Sequence, residues 1–210
     1  MIVGVFLGMI PLINMLTVSG FAILNAKKTL EGKKELLKWD NWGDIVVKSL
    51  TALAIGIIYS IPVIMLLFVL LGSVIFSTAT VINEMGPAGD PSQITSIMAP
   101  TIVGSIGLLL LMAVLLIAVS FIAPMAIMNW IKKGDFGAAF AFGEVFRKAF
   151  SGPYIAAWLF AFVYSIVLAI IVMMLSAFPI IGTFIGTGIA SYFGSVTSYT
   201  LYAQAYKEIK

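Results

Sequence analysis

The chain has 210 residues, of which 61% are hydrophobic and only 10% charged, and its mean hydropathy is +1.13. Soluble domains carry about 45–50% apolar and 25% charged residues, so this composition excludes an ordinary water-soluble globule and points to a lipid solvent. The formal charge of +3 carries no nucleic-acid signature, and there is neither cysteine nor histidine. Disulfides, thiol chemistry, and the commonest metal ligand and general base are therefore absent.

Five stretches reach the roughly 20 apolar residues that cross a hydrocarbon core. They are residues 2–24, 51–76, 101–123, 154–175 and 183–205, and none contains Asp, Glu, Lys or Arg. Residues 2–24 read as a span and not a signal peptide: no basic segment precedes them, the run is too long, and no small-residue cleavage site follows. Residues 26–50 hold ten charged side chains. Each would cost about 2.5–3.5 kcal/mol at the centre of a bilayer, so this segment lies at the interface. Residues 77–100, with Glu84 and Asp90, read as an outer loop, and residues 131–153 as a second interfacial segment. Pro179 and Gly182 punctuate the apolar run between the last two spans, which separates them.

Basic residues set the orientation. Lys27, Lys28, Lys33, Lys34, Lys38 and Lys48 follow the first span, Lys132, Lys133, Arg147 and Lys148 the third, and Lys207 and Lys210 the fifth. With five spans all twelve share one side, and retention of positive charge makes that side cytoplasmic. The expected protein is thus an all-α, multi-pass cell-membrane protein and a single membrane domain, its N-terminus outside and its C-terminus in the cytoplasm.

The two interfacial segments match each other. Trp42-Gly43-Asp44-Ile45-Val46-Val47-Lys48-Ser49-Leu50 aligns with Phe142-Gly143-Glu144-Val145-Phe146-Arg147-Lys148-Ala149-Phe150, and only Val47 against Arg147 breaks class. Upstream, Phe21-Ala22-Ile23-Leu24-Asn25 pairs with Met125-Ala126-Ile127-Met128-Asn129, and downstream Tyr59-Ser60-Ile61 recurs as Tyr164-Ser165-Ile166. The order helix, interfacial segment, helix occurs twice in one orientation, as in parallel membrane repeats. Each nonapeptide reads as an amphipathic helix lying in the headgroup plane. Asp44/Lys48 and Glu144/Lys148 form acid-then-base pairs at i,i+4, the favourable order. Ser151-Gly152-Pro153 breaks the chain after the second copy; the first has no such breaker, so its turn can run on into the following span.

Pro11-Leu12-Ile13-Asn14, Gly20 and Leu37-Lys38-Trp39-Asp40-Asn41-Trp42-Gly43-Asp44, together with the stretch from Gly134 to Phe140, resemble a mainly archaeal family of membrane proteins catalogued as domain of unknown function 4013. That family shows a proline-containing first span, a glycine near its inner end and a Pro-Trp-Asp-x-Trp-Gly-like segment before the second. The chain departs from it at Lys38, where proline is common. More loosely, it is similar to membrane regions fused to some bacterial glycerophosphodiester phosphodiesterases. The resemblance implies a helical membrane fold and an archaeal source; it transfers no activity and no catalytic residue.

Several constellations qualify as sites. Lys33, Lys34, Lys38, Trp39, Trp42, Lys48, Arg147 and Lys148 make a rim suited to lipid headgroups, with the tryptophans at the depth they favour. Asp40 and Asp44, flanked by lysines, are too few for a calcium site. Gly182, Gly186, Ala190, Gly194 and Ser198 recur every fourth residue, a ladder that lets another helix approach closely within the monomer or across a subunit contact. Asn14, Tyr59, Ser60, Ser120, Tyr164, Ser165, Tyr192, Thr197 and Tyr199 are among the polar groups within spans. No ionisable Asp, Glu, Lys or Arg accompanies them, which argues against proton-coupled transport and voltage sensing. Scattered methionines read as apolar filler. No nucleophile has a base in a readable motif, so neither enzyme nor cofactor is expected. The expected function is a non-enzymatic module organising membrane lipids or partner proteins, and the alternative a homo-oligomeric channel or facilitator for a neutral solute.

Overall fold

The computed structural model describes every residue except 34, 86–90, 179 and 210, and only the backbone of 84, 85, 91–93, 97 and 181. Among the described residues the chain is all-α, with helices α1 (Ile2–Gly8), α2 (Pro11–Leu30), α3 (Trp42–Met85), α4 (Pro91–Lys133), α5 (Phe142–Ala149), α6 (Gly152–Leu175) and α7 (Ile181–Glu208), and a 3₁₀ turn at Phe136–Phe140. Three stretches are long and apolar enough to cross a membrane: Trp42–Asn83, Ile94–Lys133 and Gly152–Leu175. Contacts divide the chain into one unit of residues 1–56 with 121–210 and another of residues 57–120.

The first expected span, residues 2–24, is not one helix. Ile10 is extended at φ −107°, ψ 113°, and Pro11 opens α2. A residue before proline is pushed out of the helical region, and proline suits the first turn of a new helix. The two pieces then pass α7 in opposite directions. Along α1, Gly4 meets Tyr192 and Gly8 meets Gly188. Along α2, Asn14 bonds Ser191 at 3.1 Å and Asn25 bonds Thr200 at 3.1 Å, while Lys207 reaches Thr29. Val5 and Leu7 consequently pack on the cluster of Val18, Phe21, Ile45 and Tyr192. Residues 1–30 form a helical hairpin with its turn at Met9–Ile10, and α1 leads back toward the end where Trp39 lies.

The long helices also depart from expectation. Residues 77–85 and 91–100, expected as loop, are helical. The stretch 77–85 contains no glycine or proline, so nothing stops α3 before Gly86-Pro87. At its other end α3 starts at Trp42, and the Asn41 side chain accepts from the Asp44 N–H as an N-cap. Of the first interfacial segment, residues 42–50 open α3 and run on into it as the missing breaker allows, whereas Gly152 and Pro153 start α6 afresh after α5.

In the first unit α7 is the interior helix, packed against α1, α2 and α6. That position explains its glycine, serine and threonine content. A helix touched on most sides needs slim residues for close approach, and it has little need of the bulk that a lipid-facing helix presents. Gly20 lets α2 reach the start of α3: a Cβ there would lie 1.9 Å from the Ile45 carbonyl oxygen. In the second unit the Ser77 and Thr101 hydroxyls hydrogen-bond to each other, and large apolar side chains face outward, among them Phe68, Ile75, Val103 and Leu110. So broad an apolar surface is of the kind that membrane or a protein partner covers.

Candidate functional site

Two asparagines organise the end of the first unit where the basic residues collect. Asn129, fully buried near the end of α4, donates to the Ala138 carbonyl at 2.8 Å and accepts from Tyr206 of α7 at 2.7 Å and Lys148 of α5 at 3.1 Å. Lys148 also donates to Glu144 at 2.8 Å and to the Tyr206 hydroxyl, and its ammonium stands 4.0 Å from the Tyr206 ring centre. Lys133 completes the group by pairing with Glu144. The two ammonium groups, Lys133 foremost, hold the Glu144 carboxyl down to about 2. Donors and acceptors are matched throughout, so this network locks α4, α5 and α7 together.

Asn25 has the corresponding place near the end of α2. It donates to Thr200 and accepts from the Leu37 N–H at 3.4 Å. Beside it opens a cleft of about 380 Å³ lined by Asn25, Thr29, Lys33, Glu35, Thr200, Gln204 and Lys207. Gly32 turns the chain into this cleft at φ +84°, a conformation that only glycine adopts freely. Two lysines and four uncharged hydrogen-bonding side chains thus converge there, with Glu35 as the one acidic group. Lys33 is also paired with Glu31 at 2.8 Å, which lowers the Glu31 pKa.

The expected rim residues divide. Lys33 lines the cleft, Lys38 and Arg147 are exposed, and Trp42 is 42% exposed; Lys34 lies outside the described residues. Lys148 turns inward to the network, with only 13% of its side chain exposed. Lys48 stands over the Trp130 ring at 4.6 Å, a cation–π contact, and Trp130 itself is buried. Trp39 stacks on Phe21 at 4.1 Å with its indole N–H buried and unpartnered, so it packs the core. The residues that sequence reasoning missed are Asn25, Asn129, Gln204 and Tyr206. A signal for the asparagines was present, because they fall at matching positions of the two aligned stretches.

The ladder of α7 also divides. Gly182 and Gly186 press on α6, where their Cβ positions lie 1.8 Å from the Leu175 carbonyl oxygen and 3.3 Å from the Val172 Cα. Ala190, Gly194 and Ser198 instead border a wide-mouthed cavity of about 610 Å³ between α6 and α7. Seven hydroxyls line it, from Ser165, Thr187, Ser191, Ser195, Ser198, Tyr199 and Tyr202, opposite an aliphatic wall that includes Leu168 and Val172. The close approach of α7 to α1 is made by a residue outside the ladder, Gly188, whose Cβ position lies 2.4 Å from the Val5 carbonyl oxygen.

Comparison with curated proteins gives no match, and comparison with solved structures gives none. A family model described as a protein of unknown function, DUF4013, matches residues 3–177, which takes in α2, the cleft-lining turn, the α4 and α5 members of the Asn129 network and α6. The chain belongs to the DUF4013 family of proteins.

Proposed function

We propose that the chain is a non-enzymatic membrane module that binds anionic lipid headgroups at its basic end. The observation that carries this reading is the cleft beside Asn25, where Lys33 and Lys207 stand among hydroxyl and amide donors. A headgroup phosphate needs that chemistry, and each cation near an anionic surface adds about 1 kcal/mol, reduced by salt and here by Glu31 and Glu35. On α5, Phe142, Phe146 and Phe150 are 53%, 41% and 64% exposed on a helix whose Val145 and Ala149 are buried, which supports an in-plane helix with its phenylalanines in the acyl boundary.

The topology belongs to the same reading. Five crossings require residues 2–24 to run straight; the hairpin of α1 and α2 supports four crossings, by α3, α4, α6 and α7, with the hairpin entering from the basic side. All twelve Lys and Arg residues still share the cytoplasmic side. We also read the two interfacial segments as copies of one unit. Matched positions are buried alike: Phe21 and Met125, Ala22 and Ala126, Ile23 and Ile127, Asn25 and Asn129, Ile45 and Val145, Ser49 and Ala149. Each asparagine also bonds the backbone of the segment that follows it.

The test is native mass spectrometry of the chain released from nanodiscs of mixed phosphatidylglycerol and phosphatidylcholine. Phosphatidylglycerol should be retained preferentially, and the Lys33→Glu/Lys207→Glu variant should lose that preference while Lys27→Glu keeps it. Equal retention of both lipids by the parent chain contradicts the reading. A second reading, a homo-oligomeric facilitator for a neutral solute, is favoured by the gathering of hydroxyls in the cavity between α6 and α7.

A further inference from the structure

That cavity has a composition unlike the basic cleft. The hydroxyls of Ser195, Ser198, Tyr199 and Tyr202 line it, and none of the four has a hydrogen-bond partner among the described residues. Tyr202 is only 8% exposed, so its hydroxyl has no route to bulk water except through the cavity. A hydroxyl left without a partner in an apolar medium is costly, and it selects an occupant that can donate and accept hydrogen bonds. Among the described lining residues none is charged. A phosphate or ammonium group there would give up its hydration with no opposite charge to meet it. The facing wall, with Leu168 and Val172, is aliphatic. A small polyol would leave that wall in contact with water, and a plain hydrocarbon would leave the hydroxyls unmet. The volume of about 610 Å³ falls in the range of about 300–1,000 Å³ usual for small-molecule sites.

We propose that the cavity between α6 and α7 binds an uncharged, hydroxyl-bearing lipid of the diglyceride kind. Its glycerol hydroxyl lies among Ser195, Ser198 and Tyr199, and an acyl chain lies along Leu168 and Val172. The proposal rests on the lipid-binding reading, but it concerns a neutral headgroup on another face of α7, lined by Ser195, Tyr199 and Tyr202 where the cleft is lined by Thr200, Gln204 and Lys207. Hydrogen bonding and shape select the ligand here, whereas charge selects it at the cleft.

The experiment uses the full chain in phosphatidylcholine nanodiscs with a dioleoylglycerol analogue that carries a diazirine on one acyl chain. After irradiation, labelled peptides should map to the cavity faces of α6 and α7. Unlabelled dioleoylglycerol should compete and phosphatidylglycerol should not. Ser195→Ala/Ser198→Ala/Tyr199→Phe removes the hydroxyls without adding bulk and should weaken competition roughly tenfold, the effect of losing one or two hydrogen bonds. Ser195→Leu fills the space and should abolish labelling; thermal melting of both variants shows whether they are folded. Labelling that resists competition, or that a folded triple variant leaves unchanged, overturns the proposal. So does glycerol-driven swelling of proteoliposomes faster than of empty ones together with no dioleoylglycerol competition, a result that assigns the cavity to a neutral solute. Retention of phosphatidylglycerol, read separately at the cleft, distinguishes failure of this inference from failure of the lipid-binding reading.

Discussion

The two flanks of α7 employ the same small residues to different ends. Toward the hairpin, Gly188 sits so close to α1 that a Cβ would come within 2.4 Å of the Val5 carbonyl oxygen, and a Cβ on Gly8 would in turn lie 2.9 Å from the Gly188 carbonyl oxygen. Toward α6 the contact is tight only near the start of the helix, at Gly182 and Gly186. By Gly194 the nearest neighbour is the tip of a side chain, Leu168 Cδ1 at 3.3 Å, and beyond it the gap widens into the hydroxyl-lined cavity. Slim residues clear space in both places. What fills that space depends on the partner: on one flank the backbone of α1, on the other the backbone of α6 at Gly182 and Gly186 and then, past Gly194, aliphatic side chains that leave room.

The largest effect should come from closing the tight flank. Gly188→Leu forces bulk against a backbone carbonyl and should destabilise the folded chain by about 3 kcal/mol, the upper end of overpacking; thermal melting in detergent reads it. Gly186→Leu meets the Val172 Cα and should cost about 2 kcal/mol in the same assay. Phe193→Leu trims a partly buried ring at the edge of the core cluster and should cost less, about 1 kcal/mol. If Gly188→Leu and Phe193→Leu melt alike, α1 does not press on α7.

Acid should act next, at Glu144 of α5 in the network that reaches Tyr206 near the far end of α7. The Glu144 carboxyl is held at about 2, below its unfolded value of 4.5. Its stabilising contribution is therefore complete above pH 4.5 and is lost as the pH falls toward 2. Melting temperature should decline through that interval, and Glu144→Gln should flatten the decline while lowering the plateau. An unchanged profile in Glu144→Gln would remove this network from the account. The smallest effect is expected on the open flank, where Ser198→Ala borders the cavity and should shift stability by no more than about 0.5 kcal/mol.

Much of this architecture was legible in the residues. The all-α class follows from apolar run length, and the fresh start of α6 follows from Ser151-Gly152-Pro153. The hairpin was not legible, because hydropathy averages over a turn that contains no charge: residues 2–24 read as one run whether straight or folded. Pro11 marked the place, but a proline there also fits a kinked single span. The α7 ladder was read from spacing, and its residues divide between the contact with α6 and the border of the cavity. Gly188 lies off that repeat, and its role depends on α1 returning past α7, a long-range contact that spacing cannot reveal. The rim shows the same limit at single residues. Arg147 and Lys148 are adjacent and equally basic, yet only Lys148 meets Asn129 and Tyr206, which lie 19 and 58 residues away. The seven hydroxyls of the cavity were visible one by one; their convergence needed the packing of α6 on α7.

The α1–α2 hairpin is the central claim, since it makes α7 an interior helix and sets the side on which the N-terminal helix begins. The natural chain has no cysteine, so Ile2→Cys/Lys27→Cys gives a clean pair of sites for spin labels, both at exposed positions. A straight helix would place residues 2 and 27 about 37 Å apart at 1.5 Å per residue. The folded hairpin returns α1 to the level of Phe21, and electron–electron double resonance in nanodiscs should give a distribution centred below about 25 Å, allowing about two helix diameters for packing. A single distribution near 37 Å would contradict the account.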